Sequence, residues 1–281
     1  PSALGHSLLH LGVQGGDHIG RTFSQQGPGR LARTAKRRPA RLDRRKFGGL
    51  RLKSLVERFH SPLDRRLGQV RKGDGGRIQE GPATSYGAIF YNNVMASGVI
   101  PQISAVMGPC AGGTVYSPAL TDFVFSVDRT SRSFLTGPSV IKNVTGETVD
   151  EETLGGARTH NTLSGVSHYF CEDDVDCIEQ IKVLLSYLPP NYREPPPAYP
   201  CTDAPDRRCE MLNTFIPDNE RKTYNIKDII LEIADNHDFF ERQAMYATNI
   251  VTGFIRMNGK SVGVVETQPQ SLAGCIDINA S

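Results

Sequence analysis

The chain has 281 residues, of which 38% are hydrophobic, 7% aromatic and 22% charged, with 28 Gly, 18 Pro, no Trp and a mean hydropathy of −0.34. This composition excludes collagen-like, mucin-like and coiled-coil chains, and the length allows two small domains or one large one at roughly 100–200 residues each. The formal net charge of +2 hides an asymmetry: residues 30–72 hold sixteen Lys and Arg against three acids, whereas residues 73–281 hold fifteen against twenty-six. No apolar run approaches the ~20 residues of a membrane helix. The longest, residues 99–107, is broken by Pro101, Gln102 and Ser104, so a soluble chain without membrane contact is expected. Six cysteines lie far apart, with no Cys-x-x-Cys pair and no Cys/His cluster at zinc spacing, which suits a reducing compartment and a chain without metal.

Residues 1–72 carry few aromatics and offer little to bury. Clustered arginine can neutralise phosphates without a core, which makes a nucleic-acid-binding arm the reading from a different functional class. No aromatic stacking platform accompanies the charge. A transit peptide is Arg-rich but begins at the N-terminus, and here the charge peaks well inside the chain. A disordered tail, or a segment foreign to the natural product, are the other readings.

From Gly73 onward, short apolar runs punctuated by Gly and followed by helical patterns give the rhythm of an α/β domain. A helix-like stretch covers residues 86–96. Buried strands are predicted over 99–107, 122–127 and 133–136, and Gly137-Pro138 opens a short helix. Asp173 or Asp174 caps a helix whose stripe is Val175, Ile178, Ile181, Leu184, Leu185 and Leu188. Residues 189–217 contain eight of the prolines and read as a linker. Beyond it Ile226, Ile229, Ile230 and Ile233 share one helical stripe. Residues 249–257 and 261–266, joined through Asn258-Gly259, read as a hairpin. The predicted organisation is therefore 1–72 as a basic segment, 73–188 as a first domain, 189–217 as a linker and 218–281 as the start of a second domain. One helix and one hairpin supply too little apolar surface for an independent core, so the second domain is expected to be incomplete.

Two small-residue stretches carry the chemistry. The run Gly108-Pro109-Cys110-Ala111-Gly112-Gly113 follows a strand, and a helix starting near Gly112 and Gly113 would leave their N–H groups unpaired and turned toward developing negative charge. Tight packing alone also explains such a run. The second stretch is Gly73-Asp74-Gly75-Gly76-Arg77. Cys110 adjoins the first run without an identifiable base and reads as a small buried hydrophobe. His160 and His168 lack ligand spacing and read as packing histidines, and Arg158 as a surface charge.

Together these stretches resemble the carboxyltransferase β subunits of biotin-dependent acyl-CoA carboxylases of the propionyl-CoA type, in the crotonase superfamily. Residues carrying the resemblance include Gly75, Gly76 and Arg77, Tyr86-Gly87, Gly108 through Gly113, Tyr116 through Leu120, Gly155-Gly156 and Thr159-His160. It runs on through Asn249-Ile250, Arg256-Met257, Gln268-Pro269 and Gly274-Cys275. It implies a crotonase-like ββα-spiral α/β fold, repeated in the second domain. It also implies carboxyl transfer from carboxybiotin to the α-carbon of a short acyl-CoA, most simply propionyl-CoA to methylmalonyl-CoA, with methylmalonyl-CoA decarboxylase or transcarboxylase as the runner-up. On the family pattern Gly112 and Gly113 form an oxyanion hole, while Gly75, Gly76, Arg77 and Ala111 line the acyl-CoA site. The implied partners are a biotin carboxylase or biotin carrier subunit and further β subunits in a hexamer, with neither nucleic acid nor membrane. The compartment is cytoplasmic in a bacterium and the mitochondrial matrix in a eukaryote.

Two departures stand out. The run Asp74-Gly75-Gly76-Arg77 lacks the alanine of the family motif, and upstream of Gly75 the resemblance stops. That sharp edge suggests a shifted reading frame over the same gene. The chain is also expected to be a partial subunit, lacking the second oxyanion hole and the biotin side of the site, and to be inactive by itself.

Overall fold

A computed structural model describes residues 82–204, 206–219 and 222–281. The basic segment 1–72, and with it Gly75, Gly76 and Arg77 at the start of the expected first domain, lies outside the described residues. The first described element, helix α1 (Pro82–Ala96), leads into strand β1 (Ile103–Val106). This strand is shorter than the apolar run 99–107. Pro101 has no N–H to give a ladder, and the Gln102 N–H is taken by Asp122 Oδ2 at 2.8 Å. The Gln102 side chain, 3% exposed, turns back instead, accepting from Asn93 Nδ2 and donating to Asn93 O, both at 2.9 Å. A polar knot therefore fixes α1 against the start of the sheet, where an unpaired buried amide would cost about 1–3 kcal/mol.

Strand β2 (Pro109–Ala111) follows, then a 3₁₀ turn (Gly112–Val115), a one-turn helix α2 (Tyr116–Ala119), strand β3 (Phe123–Val127) and strand β4 (Arg132–Phe134). Next come α3 (Pro138–Thr145), α4 (Glu151–Gly155), α5 (Ala157–Thr162), strand β5 (Tyr169–Cys171) and α6 (Asp174–Tyr187). Strands β1, β3 and β5 form a parallel sheet in that order, and β2 pairs in parallel with β4. Both faces of the first sheet are covered, as parallel sheets require. One presents Ile103, Ala105, Phe125, Val127, Tyr169 and Cys171 to Cys177, Ile181 and Leu184 of α6. The other carries Val106 and Val124 toward Cys110 and Val115.

Helix α6 starts where the sequence places it, with Asp173 Oδ1 accepting the Asp176 N–H at 2.8 Å. Its buried stripe differs: Val175 is 68% exposed, whereas Cys177 is fully buried. A core-facing row of Cys177, Ile181 and Leu184 has the three-and-four spacing of one helix face, and Val175 lies off it.

The proline-rich stretch has no strand or α-helix among its described residues and only a 3₁₀ turn (Glu210–Asn213). It is nevertheless fastened. The Arg256 guanidinium carbon sits 3.9 Å from the centroid of the Tyr187 ring and 4.2 Å from that of Tyr199, and Arg256 Nη2 donates to Ser186 Oγ at 2.7 Å. Helix α7 (Ile226–Ile233) then packs on an antiparallel sheet of β6 (Phe239–Arg242), β7 (Ile250–Met257) and β8 (Lys260–Thr267). The hairpin register Met257↔Lys260 leaves Asn258 and Gly259 as the two loop residues, with φ of 50° and 75°, the signature of a type I′ turn. Both loop N–H groups are capped by the Asp235 carboxylate, at 2.9 Å for Asn258 and 2.6 Å for Gly259. Burial opposes ionisation of Asp235, yet the Gly259 and Asn258 donors hold its pKa below the ordinary value.

The two sheets meet through rings. Phe125 stacks on Tyr169 with centroids 4.3 Å apart, Tyr169 on Phe240 at 5.0 Å, and Tyr187 lies beside both Phe240 and Phe254. At the edge of this column His168 Nδ1 accepts the Val124 N–H at 3.1 Å, and His168 Nε2 lies 2.9 Å from Arg242 Nη2. Burial first, and the Arg242 charge second, push the His168 pKa down from 6.5 to about 4. Because the folded state prefers the neutral ring, this contribution is fully present above pH 6.5 and is lost as the pH falls toward 4. Urea unfolding between pH 7 and pH 4 is expected to show up to about 3 kcal/mol of destabilisation that largely disappears from the pH profile of His168→Gln. An unchanged profile in that variant would assign the acid sensitivity to other groups.

Candidate functional site

Strand β2 is held in register by β4, with Cys110 opposite Ser133 and Ala111 opposite Phe134. Ala111 is extended at φ −125° and ψ 152°, and Tyr116 is helical at φ −67° and ψ −38°. The chain passes from one to the other through Gly112 at φ 67°, a left-handed conformation that costs an L-residue with a Cβ about 1–2 kcal/mol. A turn that starts at Gly112 offers no acceptor within itself for its own first N–H groups. Two successive amide donors at a strand-to-helix reversal are an arrangement able to stabilise a developing oxyanion. Ala111, at the exposed end of β2, adjoins them.

The neighbouring side chains act as support. Cys110, 4% exposed, packs with Val106 and Val124, and its thiol lies 3.5 Å from Thr114 Oγ1. Thr114 Oγ1 in turn donates to Ala111 O at 2.8 Å, closing a loop around the turn. His160 ties α5 to β4, with Nε2 2.6 Å from the Ser133 carbonyl oxygen and Nδ1 2.7 Å from Ser164 Oγ. Exposed Arg158 lies over the Phe170 ring at 5.1 Å. Both histidines are thus engaged in structural hydrogen bonds, as their sequence positions suggest.

Next to the turn lies a cleft between α1 and the β1–β2 segment. Tyr86, Ile89, Val106, Met107, Cys110 and Pro118 supply its apolar walls. Tyr86 links cleft and turn: a Cβ placed on Gly113 would sit 3.6 Å from Tyr86 Cδ2 and Cε2. The spacing of Tyr86, Ile89 and Asn93 along one helix face is the signal in the sequence that points to this wall. A second cluster, Cys201, Asp203 and Asp235, is not apparent from cysteine spacing because it joins the proline-rich stretch to the end of α7. Its carboxylates are engaged, Asp235 on the hairpin turn and Asp203 in an ion pair with Arg207 at 3.5 Å. All six cysteines are unpaired. No helix among the described residues is long and apolar enough to cross a membrane.

A family model described as the carboxyl transferase domain matches residues 66–281, so the family match begins upstream of Gly75 and within the basic segment, where the sequence reading stops it. Methylmalonyl-CoA decarboxylase subunit alpha of Propionigenium modestum is 53% identical over 208 residues, 73% of this chain and 40% of that protein. The mitochondrial propionyl-CoA carboxylase beta chain of Homo sapiens is 52% identical over 209 residues, 74% of this chain and 39% of that protein. The crystal structure of the transcarboxylase 12S hexamer with methylmalonyl-coenzyme A and methylmalonic acid bound superposes with a TM-score of 0.69 at 46% identity, covering 74% of this chain and 40% of that one. A single-chain, multi-domain long-chain acyl-CoA carboxylase shares the fold, with a TM-score of 0.58 at 20% identity over 74% of this chain and 20% of that one. The fold is thus crotonase-like α/β, and the chain spans about 40% of the length of the curated relatives it matches.

The two glycines of the turn should respond differently to a methyl group. Gly112→Ala is expected to cost about 1–2 kcal/mol through its left-handed φ, whereas Gly113→Ala, with only ordinary contact to Tyr86, should stay within about 0.5 kcal/mol. Chemical-denaturation midpoints of the two variants measure this, and equal losses would contradict the backbone assignment.

Proposed function

Because the chain belongs to the carboxyl transferase domain family, we propose that its protein transfers a carboxyl group between biotin and the α-carbon of a short acyl-CoA, converting propionyl-CoA to methylmalonyl-CoA. The observation that carries this reading is the half-buried Gly112-Gly113 turn beside a cleft whose lining, among the described residues, includes no Asp, Glu, His or Lys. Such a turn can hold an enolate, and on the family pattern the base that forms it arrives with the second substrate. Carboxybiotin, delivered by a partner subunit, supplies both the carbon dioxide and the proton acceptor when it is bound.

The chain's own part is electrostatic. Loss of the α-proton moves charge onto the thioester oxygen, and the N–H groups of Gly112 and Gly113 donate to that oxygen more strongly as the charge grows. The donors are fixed by the β2–β4 pairing and by the left-handed Gly112, so no reorganisation is needed at the moment of reaction. Ala111 and, on the family pattern, Gly75, Gly76 and Arg77 border the thioester. The resemblance also supports a hexamer of such subunits served by a biotin carboxylase or biotin carrier, in the cytoplasm of a bacterium or the mitochondrial matrix of a eukaryote.

A second reading rests on an identity just as high: the relatives named methylmalonyl-CoA decarboxylase subunit alpha match at 50% and 53%. It runs the same transfer in the opposite direction. The partner discriminates the two, an ATP-using biotin carboxylase in the first case and a membrane decarboxylase subunit in the second.

The test is transfer by a protein spanning the full length of these relatives, given propionyl-CoA and carboxybiotin. Methylmalonyl-CoA is expected. Gly112→Val, which strains the left-handed turn that aims the donors, should lower turnover by about 10²–10³-fold while changing acyl-CoA affinity much less, since the donors act on the developing charge. If Cys110→Ala abolished turnover and Gly112→Val left it intact, the oxyanion assignment would fall.

A further inference from the structure

Resting on the acyl-CoA reading above, we propose that the cleft beside the Gly112-Gly113 turn takes the acyl chain of the thioester, and that Tyr86 and Ile89 of α1 set the longest chain it accepts.

Four observations carry the inference. The cleft adjoins the turn, because the Tyr86 ring that forms part of its wall is also the nearest side chain to a Cβ placed on Gly113, at 3.6 Å. A thioester oxygen held by the turn therefore leaves its acyl carbons a short step from the cleft.

Its walls are apolar in practice as well as in name. Of the serine and threonine hydroxyls on them, Thr114 already donates to Ala111 O at 2.8 Å and Ser117 to Asn93 Oδ1 at 2.9 Å, while Ser104 accepts from Thr121 at 3.0 Å. The Cys110 thiol is turned to Thr114. A polar ligand group directed at Thr114 or Ser117 would have to displace these internal bonds. A methyl or ethyl group need not, and it gains burial worth about 0.8 kcal/mol per methylene.

The cleft is small. Its volume is about 60 Å³, well under half of the ~150 Å³ cavity that takes up benzene, so two or three carbons fill it.

Finally, its limiting wall is braced. Tyr86 stacks on Phe90 with ring centroids 6.2 Å apart, and Phe90 meets Tyr116 edge to face at 5.8 Å. The knot between Asn93 and Gln102 anchors the next turn of the same helix. A longer chain must therefore displace a supported helix rather than a free side chain, and overfilling a packed wall is unfavourable.

Isothermal titration of the chain with free CoA, propionyl-CoA, butyryl-CoA and hexanoyl-CoA reads the effect directly. Propionyl-CoA is expected to bind more tightly than free CoA, and hexanoyl-CoA about tenfold or more weaker than propionyl-CoA. Ile89→Ala should bring the hexanoyl-to-propionyl ratio to within about threefold, and Ile89→Phe should reduce propionyl-CoA to the affinity of free CoA. The chain-length series needs no variant, so the inference stays testable if a substitution prevents folding. Equal affinities along the series, or an Ile89→Ala change that weakens every thioester alike, would overturn the chain-length role while leaving the acyl-CoA site in place. Absence of binding by every thioester and by CoA would remove the acyl-CoA reading itself, and this inference with it.

Discussion

Everything proposed for the site depends on one backbone reversal. Ala111 ends a parallel strand and Tyr116 begins a helix, and the left-handed Gly112, φ 67°, allows the chain to pass between them within a few residues. A side chain at that position would open the turn or shift its register against β4, and with it the direction of the two amide donors. The rest of the local structure serves to hold this geometry: β4 lies alongside β2, Thr114 closes on Ala111, and Cys110 is seated between Val106 and Val124. A backbone donor fixed in this way is useful because it is already aimed before charge develops.

The segment after the proline-rich stretch is joined to the first sheet by a continuous run of rings, from Phe125 through Tyr169 and Phe240 to Tyr187 and Phe254. Arg256 completes it between Tyr187 and Tyr199. A stretch with so many prolines cannot build a ladder of its own. It is placed by stacking and by single backbone bonds such as Tyr199 N to Gly259 O at 3.0 Å. That approach also explains the loop glycine, since a Cβ on Gly259 would collide with the Tyr199 carbonyl oxygen.

Where local chemistry dictates local structure, the sequence was legible. Asn258-Gly259 specifies a type I′ turn, Asp173 caps α6, Gly137-Pro138 opens a helix, and the isoleucine stripe at 226–233 faces the hairpin sheet. Partners distant in sequence decided the rest. Strand β1 is shortened because Gln102 is bonded to Asn93 and Asp122, and the α6 stripe is turned because Cys177, a residue easily passed over as polar, faces the core. Strand β6 is four residues with no alternation of burial, which leaves no periodic signal. The glycine turn was visible as a run of small residues, and its candidate role came from family resemblance. The cleft beside it depends on a helix and a strand meeting in space, which no single motif encodes.

The central claim is that the Gly112 and Gly113 amides receive the thioester oxygen. A crystal structure with a non-reactive propionyl-CoA analogue bound measures this directly. The expected result is the acyl oxygen about 2.7–3.1 Å from one or both of these nitrogens, with the acyl carbons directed toward Tyr86 and Ile89. An analogue bound with its acyl oxygen on other donors, and with these two amides facing solvent, would contradict the claim.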